Sequence, residues 1–197
     1  MRPSFQAAAA ATYAYAYGRI GKFQIQNLGQ SQFIGHSWRT AESSPMEDMD
    51  REYYPGLSMM NWTSAMPLAR FRVLSMLTSE LIPQKTDYID GGVVLASRLK
   101  HGGDVAAFAY RTSYQSQSDH RTSKNVTLLV VNKNPNSTCV ALRGHDIVAL
   151  KLTGSVAVVS FLQADGSPNK VEQHTPTQGT VQFELAGFQV AMVSLNG

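Results

Sequence analysis

The chain has 197 residues, a formal charge of +3 at neutral pH and 43% apolar residues. That apolar share excludes wholesale disorder, and the lysines and arginines are scattered, without interleaved aromatics, which argues against a nucleic-acid partner. Cys139 is the single cysteine, so no intrachain disulfide or cysteine-built metal site can form, and it reads as a small buried strand residue.

In chain order, the first predicted element is a helix over Phe5 to Phe23, with Ser4 as N-cap and alanine or tyrosine on most turns, a composition suited to close packing. The alanine run from Ala7 to Ala11 is followed by Tyr13, Tyr15 and Tyr17 and by no cleavage site, so it reads as helix rather than signal peptide. Ile25 to Ile34, with Gly29 and Gly35 as flanking glycines, fits a short strand. Ser37 to Tyr54 is polar, with Glu42, Glu47, Asp48, Asp50 and Glu52 around Pro45. It lacks the D-x-[DN]-x-[DN]-G pattern and apolar framing, so a solvated loop is expected there rather than a calcium or catalytic site. From Pro67 to Leu81, apolar residues at Leu68, Phe71, Val73, Leu74, Leu77 and Leu81 recur at helical spacing. Pro67 is expected in the first turn, where a missing N–H is harmless, and Pro83 stops the pattern.

Between Pro83 and Gly92 the periodicity changes to short β-runs: Val93 to Lys100, Val105 to Thr112, Val126 to Asn132, Thr138 to Arg143, Ile147 to Leu152, Val156 to Leu162, Thr180 to Leu185 and Phe188 to Leu195. Gly102-Gly103, Asn134-Pro135-Asn136, Asp165 to Pro168 and Ala186-Gly187 mark turns, the punctuation of an antiparallel sandwich. In Thr180 to Leu185 the alternation puts Val181, Phe183 and Leu185 on the core face. Tyr114 to Lys124, rich in serine and glutamine, reads as a long mobile loop. The predicted fold is therefore mainly β, an antiparallel sandwich preceded by a helical segment.

No stretch reaches the roughly 18–20 apolar residues that span a bilayer. His36, His101, His120, His145 and His174 are far apart, without an H-E-x-x-H or i,i+4 pair, so loop histidines are expected rather than a zinc site. No cofactor is implied. Ser, His and Asp occur without a G-x-S-x-G elbow, which gives a nucleophilic hydrolase no placing signal. N-x-[ST] sequons at Asn61, Asn125 and Asn136 are candidate N-glycosylation sites and fit an extracellular or lysosomal parent.

Five motifs then follow in order: GQSQFIGH (Gly29 to His36), YYPGLSMMNW (Tyr53 to Trp62), PLARFRVLSML (Pro67 to Leu77), LLVVNKN (Leu128 to Asn134) and LAGFQVAMVSL (Leu185 to Leu195). This succession resembles the C-terminal part of glycoside hydrolases of the family 39 type, whose larger clan joins a (β/α)₈ barrel to a β-sandwich. The resemblance implies that residues 1–83 are the end of such a barrel: Phe5 to Phe23 its seventh helix, Ile25 to Ile34 its eighth strand and Pro67 to Leu81 its eighth helix. Residues 84–197 would be the sandwich. The insert Ser37 to Glu52 is longer than the family pattern leads one to expect.

The resemblance further implies hydrolysis of glycosidic bonds by two glutamates on barrel strands 4 and 7, retaining when the pair stands roughly 5–5.5 Å apart. Both strands would precede Met1, so no catalytic residue is expected in this chain. Residues of the eighth strand would still face the active-site end of a barrel. Gln30 and Gln32 either hydrogen-bond sugar hydroxyls or satisfy backbone groups; Trp62 either stacks on a pyranose face or anchors the eighth helix. The helices are expected to lack most of the partners that would bury their apolar stripes, which would favour self-association. Two functions stay open: a C-terminal fragment of a glycoside hydrolase acting on carbohydrate in the complete protein, or a non-catalytic sandwich that binds carbohydrate or a partner.

Overall fold

The computed structural model describes residues 3–23, 59–60, 64–81, 87–95, 103–115, 122–143, 156–163, 167–177 and 180–196. Two helices, α1 (Pro3–Lys22) and α2 (Ala69–Leu81), precede eight strands: β1 (Asp87–Leu95), β2 (Val105–Gln115), β3 (Thr122–Asn132), β4 (Thr138–Arg143), β5 (Ala157–Phe161), β6 (Lys170–His174), β7 (Thr180–Leu185) and β8 (Val190–Asn196). Six of them form one antiparallel sheet in the order β1-β2-β3-β8-β5-β6, and β4 pairs with β7 in a second, two-stranded sheet.

The central strands explain the layering. Leu129, Val130 and Val131 of β3, like Ala191, Met192 and Val193 of β8, are consecutive and fully buried, because the large sheet is covered on both faces. On one face Val130, Ala191 and Val193 meet Val140 of β4 and Val181, Phe183 and Leu185 of β7; this is the sandwich core. Phe161 and Phe183 meet edge-on there, with ring centroids 6.0 Å apart. On the other face Ala106, Phe108, Tyr110, Leu129, Val131 and Met192 pack against the helices. Among the described residues the architecture is a two-helix layer, a six-stranded sheet and a two-stranded sheet.

Alanine is what lets α1 lie so near the sheet. Ala10, Ala11 and Ala14 share one helical stripe and are buried in the helix-side core, and Gly18 continues that stripe. A Cβ at Gly18 would run into the Phe108 ring, at 2.5 Å from its Cγ. In α2 the buried positions are Ala69, Val73, Met76 and Leu77. Gln6 of α1 is itself buried, and its Oε1 accepts the Ala69 N–H at 3.1 Å, so one helix caps the other.

Several expectations need correction. At Ala10, Ala14, Val73 and Leu77 the helical stripes do not lack partners: each is no more than 2% exposed because the two helices pack on each other and on the large sheet, which removes the premise for self-association at these positions. Exposed apolar surface remains at Phe23 and Met66. Ser4 lies inside α1 rather than capping it. Pro67 precedes α2 and bridges Met60, while the Leu68 N–H donates to the Met59 carbonyl at 2.9 Å, so the chain enters the helix from a short antiparallel contact. Cys139 is exposed, since Val140 takes the core side of β4 and its neighbours alternate outward.

At the hairpin of β2 and β3, the ladder pairs Tyr114 with Ser123 and Gln115 with Thr122, so both ends of the expected loop Tyr114 to Lys124 are strand. The predicted strands Ile25 to Ile34 and Ile147 to Leu152, and the acidic segment Ser37 to Tyr54, lie outside the described residues. Among the described residues, no helix is long and apolar enough to cross a membrane.

Candidate functional site

Gln30, Gln32, Asn61 and Trp62, the residues singled out for sugar contact or modification in the first part of the chain, lie outside the described residues. Asn125 falls within β3, where its backbone position pairs with Thr112 and Asn196. Asn136 is exposed in the turn between β3 and β4. Among the described residues, polar side chains come together in three places that bear on function.

The first sits where the helices meet the sheet. Tyr13 and Tyr17 of α1 stand 6.5 Å apart by ring centroid, and the Arg70 guanidinium of α2 lies over Tyr13 at 5.0 Å. Lys133 lies over Tyr15 at 5.4 Å, and Tyr15 contacts Phe108. Burial raises the Tyr13 hydroxyl above its ordinary range, with Arg70 opposing. Tyr110 is buried beneath this layer, and its hydroxyl has no hydrogen-bond partner among the described residues. Burial, with a smaller contribution from Tyr17, pushes its pKa up to about 12.

An unpartnered buried hydroxyl stabilises nothing. Tyr110→Phe keeps the ring and removes the buried polar atom, so the variant should unfold at higher temperature, gaining about 1 kcal/mol. The sign with pH follows from the raised pKa: stability is intact below the ordinary tyrosine value of 10.0 and falls as pH rises towards about 12. Thermal denaturation of both proteins at neutral and alkaline pH checks this, and a clear loss of stability in Tyr110→Phe would reveal a partner for the hydroxyl.

The second group lies on β6. The Glu172 carboxylate takes the Lys170 ammonium on one oxygen and His174 Nε2, at 3.0 Å, on the other. The Lys170 hydrogen bond, reinforced by His174, holds Glu172 below the usual carboxylate range. A glycosidase acid needs the opposite shift, so Glu172 is not suited to that role. His174, expected in a loop, is a half-buried strand residue beside Phe183. Sequence reasoning missed this strand because Lys170-Val171-Glu172-Gln173-His174 carries one apolar residue, and that residue, Val171, points to solvent. Among the described residues, no three His, Cys, Asp or Glu side chains come together to hold a metal.

The third group is a chain of asparagines. Asn132 closes β3 and is fully buried; its Nδ2 donates to the carbonyls of Asn136 at 2.8 Å and Ala186 at 2.9 Å. Its Oδ1 accepts the Asn134 N–H at 3.0 Å, and the Asn134 Oδ1 in turn accepts the Asn136 N–H at 2.9 Å. The bonds to Oδ1 make two successive Asx-turns within the β3–β4 turn, and the Asn132 bond to Ala186 ties that turn to the β7–β8 turn. The alternating asparagines of Asn132-Lys133-Asn134-Pro135-Asn136 were the available signal.

No family model matches the chain, and no curated protein matches its sequence at a significant level. Among solved structures it is similar to a GH30 endoxylanase from Clostridium papyrosolvens C71, at 12% identity and a TM-score of 0.47 over 70% of this chain and 30% of that one. It is similar to a glycoside hydrolase family 30 subfamily 8 xylanase from Clostridium acetobutylicum, at 10% identity and a TM-score of 0.47 over 72% of this chain and 31% of that one. It is also similar to the catalytic domain of GH30 xylanase C from Talaromyces cellulolyticus, at 14% identity and a TM-score of 0.47 over 72% of this chain and 28% of that one. These three structures are glycoside hydrolases of family 30 rather than family 39, and the chain spans about a third or less of the length of each.

Proposed function

We propose that the chain is the C-terminal part of a glycoside hydrolase, with residues 1–83 closing a (β/α)₈ barrel and residues 84–197 forming its sandwich. The observation that carries this reading is the unbroken order of the five motifs from Gly29 to Leu195. The element order agrees with it: a long helix, then a helix ending at Leu81, then antiparallel strands. In the complete protein, two glutamates on barrel strands outside this chain would cleave the glycosidic bond by retention. Gln30, Gln32 and Trp62 would contribute sugar contacts at the barrel mouth, and the parent would act in an extracellular or lysosomal setting. The family 39 assignment belongs to the same proposal.

A second reading, a non-catalytic sandwich that binds carbohydrate or a partner, is favoured by one observation. Helix–helix and helix–sheet packing already covers Ala10, Ala14, Val73 and Leu77, so the described elements share cores without a barrel.

The purified chain should show no turnover on a panel of aryl glycosides and no retention on insoluble polysaccharide. Retention without turnover would favour the binding module. Turnover that disappears when a carboxylate between Glu42 and Glu52 is replaced would overturn both the expected inactivity and the solvated-loop assignment.

A further inference from the structure

We propose that Asn136 is an N-glycan acceptor of this chain and that Asn125 is not. A glycan on a folded protein needs an asparagine whose side chain opens to solvent and carries none of the local hydrogen bonds. Asn136 meets both conditions. It is exposed, and the turn engages its backbone: its N–H donates to Asn134 Oδ1 at 2.9 Å, and its carbonyl accepts Asn132 Nδ2 at 2.8 Å. Among the described residues, the turn therefore holds the backbone at Asn136 without using its side-chain amide. Ser137 is exposed, and Thr138, whose hydroxyl completes the sequon, is half-buried where β4 begins.

The sequon at Asn125 is built differently. Val126 is 6% and Thr127 2% exposed, and all three residues are laddered to β2 on one side and to β8 on the other. A glycan there would start from a strand paired on both sides, whereas at Asn136 it would leave a turn at the end of the sandwich. This inference shares with the proposed function only the secretory setting, and its readout does not depend on activity.

The test is to express the whole 197-residue chain behind a secretion leader in a eukaryotic host. The medium and the lysate are both collected and deglycosylated in ¹⁸O-water, and each converted asparagine is located by mass spectrometry. The expected result is conversion at Asn136 and none at Asn125, with Asn136→Gln losing one glycan's mass and Thr138→Ala, which keeps the asparagine, losing it too. An unconverted Asn136, or a converted Asn125 in secreted protein, would overturn the proposal. Because the mapping is made on the unsubstituted chain, a variant that fails to fold does not obscure it.

Discussion

Asn132→Ala should destabilise the protein by about 3 kcal/mol, read as a drop in melting temperature of roughly 6–12 °C for a chain of this size. The side chain is fully buried and makes three hydrogen bonds, two from Nδ2 and one to Oδ1. Alanine strands the carbonyls of Asn136 and Ala186 and the N–H of Asn134 together. Each fully buried orphan costs about 1–3 kcal/mol, and the part-buried position of this turn admits some water, which keeps the sum near the lower figure. Asn132→Asp supplies the control. It keeps the acceptor for Asn134 but sets a carboxylate against two carbonyl oxygens, so neutral pH should leave it at least as unstable as alanine. Its folded-state pKa would be raised, so stability should return as pH falls and be lost as pH rises through that pKa. Thermal denaturation at matched salt across the acid range measures both effects, and an Asn132→Ala protein with an unchanged melting temperature would show that the asparagine is not a structural clamp.

Gly187→Ala should cost a similar amount, about 3 kcal/mol, at the upper end of what overpacking does. A Cβ at this position would run into the Pro135 carbonyl group, 2.5 Å from its carbon and against its oxygen. The obstacle is backbone, so no rotamer change relieves it, and Pro135→Ala should not rescue the variant. The next residue narrows the choices further: Phe188 holds a left-handed φ of 56° and donates its N–H to the Asn134 carbonyl at 2.9 Å. Moving the turn to make room would strain that residue and break that bond. Asn132 and Gly187 serve the same junction, so the double variant should be less destabilised than the sum of the two. Full additivity in chemical denaturation would separate the two turns.

Legibility followed how each segment is buried. β7 was readable because one face is buried and the other solvated, and the observed burial of Val181, Phe183 and Leu185 repeats the sequence alternation. β3 and β8 were readable as apolar runs, though their burial on both faces followed only from knowing that helices cover the sheet. β6 was hidden because an edge strand that shows Val171 to solvent looks like a loop. The first helix was visible from its alanine and tyrosine content and the second from its apolar period, but the surface they cover was not. Small residues at Ala10, Ala11, Ala14 and Gly18 signal a close neighbour without saying which. The asparagine clamp was missed for a related reason: Asn132 reads as a polar strand end until Ala186, distant in sequence, closes over it. Of the candidate site, Asn136 was legible as a sequon, and its difference from Asn125 emerged from the strand ladder.

The most direct measurement is the sequence of the full-length transcript that carries this chain, read upstream of the codon for Met1. A glycoside hydrolase C-terminus predicts a continuous reading frame that encodes barrel strands, two of them ending in a glutamate. A transcript that begins just before Met1, with in-frame stop codons ahead of it and no barrel encoded, would contradict that origin and leave the sandwich as a binding module in its own right.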